Sequence, residues 1–217
     1  MAMGFGDSIT FADDDIRRAI GGVASEGSRE DRAFVEALKA GDAAAFDTLV
    51  DRFSGDIYAL LYRLTSDPEE ARDLSQDTFL RALRSIAGFR GDASLKTWLF
   101  RIAINESRNR FRWWKRRRRD ATVSLDVSLG ATEMTLHDTL ADRSETPEES
   151  ALAREREAKL GEALAGLKDI YREAIVLCDI EGLSYEETAT ALGTNIGTVK
   201  SRISRGREEL RRRLKDL

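Results

Sequence analysis

The residues best placed to do chemistry are cationic and aromatic rather than nucleophilic. Arg108 to Arg119 holds eight Arg or Lys in twelve positions with no acid, and Phe111, Trp113 and Trp114 are interleaved among them. Cations hold a phosphate backbone while aromatic rings stack on unpaired bases, at roughly 1–3 kcal/mol per base. On spacing alone the same tryptophans would serve a core or a domain interface equally well. A second basic run, residues 200–217, carries eight bases against three acids. For either run alone, a solvated helix face is the plainer use. Catalytic chemistry is poorly supplied. The single cysteine, Cys178, leaves no internal disulfide and suits a small buried apolar position, and the lone His137 leaves no Cys/His metal cluster. Carboxylates alone could serve a hydrolase, but helical spacing shows no paired acids converging on one spot. The chain therefore reads as a non-enzyme with no cofactor.

The second basic run sits behind a compound helix signal. Ser184-Tyr185-Glu186-Glu187 is a capping box, and the helix it starts turns Ala189 and Leu192 inward before Gly193 ends it. Asn195 caps the next helix, whose core face is Val199, Ile203 and Leu210. Its outward positions are Thr198, Lys200, Ser201, Arg202, Ser204, Arg205 and Arg207. Two such helices across a short turn make a helix-turn-helix, which presents the first part of its second helix to base edges in the major groove. Arg211 to Arg213 are better placed for phosphate or solvent. An ordinary helical hairpin with a charged face is the competing reading.

The elements that must position these residues are all helical. With 34% charged residues, two prolines and 7% aromatics, the chain reads as all-α. Residues 1–30 contain scattered acids and no sustained period, and read as a flexible acidic extension. The helical period begins at Asp31. Phe46, Leu49, Val50, Phe53, Ile57, Leu60, Leu61 and Leu64 repeat at three-and-four spacing, which puts all eight on one face of a long helix. Asp67-Pro68-Glu69-Glu70 combines an N-cap, a proline in the first turn and two acids, and starts a helix to about Ile86. Gly88 and Gly91 bracket a loop, and Ser94 caps a fourth helix with a core stripe of Leu95, Trp98, Leu99 and Ile102. Residues 31–118 thus form one helical domain, residues 119–150 a flexible acidic linker, and residues 151–217 a second helical domain. In that second domain the apolar sets are Leu160, Ala163, Leu164 and Leu167, then Ile170, Ala174, Ile175 and Leu177.

The net charge of −4 conceals a segregated pattern. Residues 1–31 hold seven acids and three bases, and residues 120–149 hold eight acids and one base. The remainder is positive, and its charge is bunched in the two basic runs. Two basic patches separated by an acidic tether point to two nucleic-acid contacts made by two domains. No apolar stretch is long enough to span a membrane, and Asp13, Asp14 and Asp15 stand where a secretion signal would be basic and then apolar, so a cytoplasmic protein is expected.

Three stretches of the first domain resemble region 2 of extracytoplasmic-function sigma factors. They are residues 73–82 (DLSQDTFLRA), residues 89–92 (FRGD) and residues 97–105 (TWLFRIAIN). Residues 181–187 (EGLSYEE) with residues 197–202 (GTVKSR) similarly resemble their region 4. The resemblance spans about residues 34–118 and 155–215, in order, and implies a subunit that joins core RNA polymerase and selects promoters. By that resemblance, Asp73, Gln76 and Asp77, with Arg81 and Arg84 nearby, dock on the clamp helices of the polymerase's large catalytic subunit pair. The loop of Phe89, Arg90, Asp92 and Ser94, together with Asn105, captures a base flipped from the non-template strand of the −10 element. Arg108, Arg112 and Lys115 hold the adjacent backbone. Thr198, Lys200, Ser201, Arg202, Ser204 and Arg205 read the duplex −35 element. An anti-sigma factor is implied as a further partner. Lys96 departs from the family pattern, which favours an aromatic or apolar residue there, and the acidic N-terminal extension lies outside that pattern.

Such a protein would not open DNA alone. Separating about a dozen base pairs at roughly 1.4 kcal/mol per step costs on the order of 17 kcal/mol. One or two stacked bases return only a few kcal/mol. Core polymerase must supply the rest. A helix-turn-helix regulator that binds operators without joining polymerase is the competing function.

Overall fold

The computed structural model describes residues 27–120 and 147–216, and among these every regular element is helical. The extension up to residue 26, His137 and the other residues of 121–146 lie outside the described residues. Two compact units divide at Asp47 and Thr48.

Helix α1 (Gly27–Lys39) starts four residues earlier than the periodicity predicts. After a tight turn, Asp42 accepts the backbone N–H of Ala44 at 2.8 Å and of Ala45 at 3.3 Å, and so caps α2 (Ala43–Thr65). From Leu49 onward the predicted stripe is buried at Leu49, Phe53, Ile57, Leu60, Leu61 and Leu64, with Val50 half-buried. Helix α3 (Pro68–Ser85) opens on the expected compound signal. The Asp67 carboxylate accepts the N–H groups of Glu69 at 2.9 Å and Glu70 at 3.0 Å, with Pro68 in the first turn. A short 3₁₀ turn (Ile86–Gly88) leads into the predicted loop.

Ser94 then caps α4 (Leu95–Asp120) through the Thr97 N–H at 3.1 Å. Its core stripe differs from the predicted one. Leu99 is buried as expected, but Phe100, Ala103 and Ile104 join it while Leu95, Trp98 and Ile102 are only half-buried. The reason is that α4 is covered from two directions, by α3 and by a helix of the C-terminal half.

Helix α5 (Pro147–Ala165) begins inside the segment expected to be linker, and α4 runs into its other end. Ala163, Leu164 and Leu167 are buried, Leu167 from the turn after the helix. Helix α6 (Asp169–Ile175) continues as a π-helical turn (Val176–Ile180) closed by the Glu181 N–H on the Val176 carbonyl at 2.9 Å. Ala174, Ile175, Val176 and Leu177 are buried, but Ile170, expected in the core, is exposed. Helix α7 (Tyr185–Leu192) and helix α8 (Ile196–Asp216) complete the chain, and α8 packs on α5, α6 and α7.

Candidate nucleic-acid interface

The helix-turn-helix is built by local hydrogen bonds. Ser184 Oγ accepts the Glu187 N–H at 3.2 Å, and the Glu187 carboxylate accepts the Ser184 N–H at 3.0 Å, which satisfies two otherwise orphaned donors. Helix α7 ends at Gly193, whose φ of +63° is the left-handed conformation that glycine adopts without a Cβ clash. Asn195 Oδ1 then accepts the Thr198 N–H at 2.7 Å and starts α8. Val199 and Ile203 are buried against the other helices, and Leu210 is half-buried.

Because that face is fixed inward, Lys200, Ser201, Ser204 and Arg205 are exposed together on the opposite one, with Thr198 and Arg202 half-buried at its edge. The Lys200 ammonium lies 5.8 Å from the Tyr185 ring centroid, a cation–π contact that aims it across the turn. Arg207, also expected outward, is tied down. It donates from Nε at 2.9 Å and Nη2 at 2.5 Å to the two oxygens of Asp179, which raises its pKa further and fixes α8 to the π-helical turn. Cys178, next to Asp179, is half-buried, and burial followed by the Asp179 charge pushes its thiol pKa up, so the thiolate is disfavoured.

The aromatic and basic residues of α4 form a second surface. Phe111, Trp113 and Trp114 are 57%, 43% and 47% exposed, which removes them from the core alternative. Trp113 and Trp114 meet edge to face at 5.3 Å between centroids, and the Arg117 guanidinium sits 4.8 Å from the Trp113 centroid. Arg112 is exposed and bonds Asn109 at 2.5 Å. Lys115 lies on α4, but its side chain is outside the described residues. In the upstream loop Arg90, Asp92 and Ser94 are exposed, as is Asn105 on α4. Phe89 differs from expectation. The residue is only 8% exposed and its ring packs on Trp98 at 5.3 Å, so it is closed off rather than an open stacking surface.

Arg108 differs more. It donates from Nε at 2.8 Å and from Nη2 at 2.6 Å to the two oxygens of Glu173 on α6, and from Nη1 at 3.4 Å to the Leu192 carbonyl at the end of α7. Its pKa is raised chiefly by that bond to Glu173. The cation expected on DNA is thus engaged by the C-terminal half.

Asp73, Gln76, Asp77, Arg81 and Arg84 are all exposed along α3, and Leu80 and Leu83 are exposed with them. Asp77 is paired to Arg110 of α4 at 3.0 Å, and Glu70 lies 3.7 Å from the same guanidinium. Burial, only partly offset by Arg110, pushes the Glu70 carboxyl pKa up. Lys96, the departure noted in sequence, pairs with Asp56 at 2.7 Å and lies 5.2 Å from the Phe100 ring centroid. It serves as a tie between α4 and α2. Among the described residues no group of His, Cys, Asp or Glu is placed to hold a metal ion, and no helix is long and apolar enough to cross a membrane.

Both halves match known families. The sigma-70 region 2 family matches residues 49–119, and the sigma-70 region 4 family matches residues 157–210. The RNA polymerase sigma-H factor of Pseudomonas aeruginosa is 38% identical over 188 residues, covering 87% of this chain and 95% of the relative. The extracytoplasmic-function sigma factor SigW of Bacillus subtilis is 35% identical, covering 84% and 96%. Among solved structures, the Bartonella quintana sigma factor RpoE bound to the anti-sigma factor NepR is 30% identical. It has a TM-score of 0.61 and coverages of 78% of this chain and 96% of that one. CnrH in complex with the cytosolic domain of CnrY is 26% identical with a TM-score of 0.59, covering 86% and 97%. With a region 2 fold, a region 4 helix-turn-helix and full-length relatives in agreement, the chain belongs to the extracytoplasmic-function family of RNA polymerase sigma factors, which direct transcription initiation.

Proposed function

We propose that residues 31–118 carry the contacts to core polymerase and to the opened −10 strand, that residues 151–217 read the −35 duplex, and that the acidic segments 1–30 and 119–150 connect and shield them. The observation that carries the reading is the pair of surfaces left open on separate helices. One is Lys200, Ser201, Ser204 and Arg205 on α8, suited to base edges in a major groove. The other is Phe111, Trp113 and Trp114 among the cations of α4, suited to unpaired bases and their backbone. Thr198 and Arg202 border the first. Exposed Arg90, Asp92, Ser94 and Asn105 take the flipped base, and Arg112 and Lys115 hold the adjacent backbone. The exposed α3 face of Asp73, Gln76, Asp77, Arg81 and Arg84 is the polymerase contact, and exposed Leu80 and Leu83 give it an apolar centre.

The protein performs no catalysis of its own, works in the cytoplasm, and is held in check by an anti-sigma factor, as the relatives' complexes suggest. Core-polymerase pull-down and run-off transcription on genomic fragments test the reading. Co-purification with core enzyme and discrete new start sites are expected. Duplex binding without either would instead make the chain an operator-binding regulator.

A further inference from the structure

Arg108 lies in the stretch assigned to the −10 backbone, yet both of its outer donor pairs are spent on the C-terminal half. Glu173 presents two carboxylate oxygens to it in the planar, two-bond arrangement that a guanidinium also makes with a phosphate. The Glu173 side chain is only 8% exposed, so this is a sheltered bond rather than a loose surface pair. Two further polar contacts join the same halves. Arg63 meets Glu181 at 2.8 Å, and Arg172 donates to the Leu64 carbonyl at the end of α2 at 2.5 Å. Helix α7 packs along α4 beside them.

This arrangement is incompatible with simultaneous promoter contact. Arg108 bonds Leu192, only a turn away from the first residue of α8, whereas the −35 and −10 elements lie about 25 base pairs, or roughly 85 Å, apart along a duplex. The chain permits the separation, since residues 121–146 can reach at most about 85–95 Å when extended.

We propose that Glu173 is an internal substitute for DNA phosphate: it occupies Arg108 in a closed state of the free protein, and the −10 strand takes its place when polymerase draws the halves apart. The proposal rests on the promoter-binding reading above. It assigns Glu173 no contact with DNA or polymerase. Exchange is between two anions of like geometry, so Arg108 passes from one to the other, while the released Glu173 carboxylate is taken up by water as the halves part. The α8 surface stays exposed in the closed state, so this contact leaves duplex recognition untouched while it withholds Arg108 from the strand.

The test uses the full chain carrying Cys178→Ser, with fluorophores on cysteines introduced at the exposed positions Asp51 and Glu208. High energy transfer is expected for the parent. Glu173→Gln should lower it and tighten binding of a fluorescent single-stranded deoxyoligonucleotide of mixed sequence roughly tenfold, by removing the competing carboxylate. Affinity for a duplex probe should stay unchanged. Arg108→Gln, made from the more exposed side of the pair, should lower transfer equally without tightening strand binding. It supplies the distance readout if the buried substitution unfolds the protein. The exchange Arg108→Glu with Glu173→Arg should restore high transfer. Unchanged transfer and strand affinity in Glu173→Gln, in a protein that still directs run-off transcription with core polymerase, would overturn the proposal. Absence of transcription by the parent would instead overturn the promoter-binding reading, and the transfer measurement would still decide closure.

Discussion

Gly206 sits in the middle of α8 and is buried. A Cβ added there would lie 2.8 Å from Ile175 Cγ1, 3.3 Å from Ile175 Cδ1 and 3.4 Å from Tyr171 Cβ. Two effects oppose each other in Gly206→Ala. Alanine is favoured over glycine within a helix by about 1 kcal/mol. Overpacking a closed core costs roughly 1–3 kcal/mol. The contacted atom decides the balance. Cγ1 belongs to a β-branched side chain with few rotamers, and Ile175 is 1% exposed, so it has nowhere to move. Net destabilisation of about 0–2 kcal/mol is expected, read as a lowered urea midpoint at unchanged slope. Exposed helical Gly55 and Gly161 have nothing within 4 Å of an added Cβ and supply the control. Gly55→Ala and Gly161→Ala should each stabilise by up to about 1 kcal/mol. Ile175→Ala alone should cost about 2–5 kcal/mol, and combining it with Gly206→Ala should give less than the sum by at least about 0.5 kcal/mol. A Gly206→Ala protein as stabilised as the two controls, or an additive double mutant, would refute the claim that close approach of α8 to α6 requires glycine.

Ser184→Ala removes one side of the capping box and should cost about 1 kcal/mol, weakening −35 duplex binding only as far as the helix-turn-helix unfolds, as paired thermal melts and binding isotherms would show. Burial, the largest cause, pushes the Glu181 carboxyl pKa up despite Arg63 and Lys96. The folded chain therefore binds this proton more readily than the unfolded one, and Glu181's contribution is fullest in acid and falls as pH rises through the interval between its ordinary and raised values. Stability of the parent minus that of Glu181→Gln, followed by urea denaturation across the mildly acidic range, should fall with pH; a rise would contradict it. Arg205→Ala should weaken and relax −35 selection in duplex-binding competitions, whereas Asp77→Ala should mainly lower affinity for core polymerase. Equal losses of both properties in both variants would contradict that division.

What could be read from sequence was what local rules determine. Asp67 and Ser184 cap their helices because a short acceptor at the N-cap reaches orphaned N–H groups whatever surrounds it. The stripe of α2 was legible because one face is buried and the other wet. The stripe of α4 departs from its sequence pattern because its neighbours cover two faces, and a periodic pattern resolves only one. Pro147-Glu148-Glu149 repeats the start signal of Pro68-Glu69-Glu70, but the acidic composition around it masks that signal. The bond between Arg108 and Glu173 had no sequence signal. Sixty-five residues separate them, and an arginine among arginines looks equally free at every position.

The π-helical turn at Val176–Ile180 places one residue more in its loop of backbone than an α-helical turn would. That surplus residue is a phase adjuster: it resets the angular position of everything after Val176 by about a quarter turn relative to α6. Asp179 thereby meets Arg207 with both oxygens while Leu177 remains buried. Single-residue deletions here would restore ideal helix geometry yet rotate Asp179 away from α8. Length in this segment is consequently under stricter constraint than residue identity, and relatives of this chain should tolerate substitutions at Cys178 far better than a lost residue beside it.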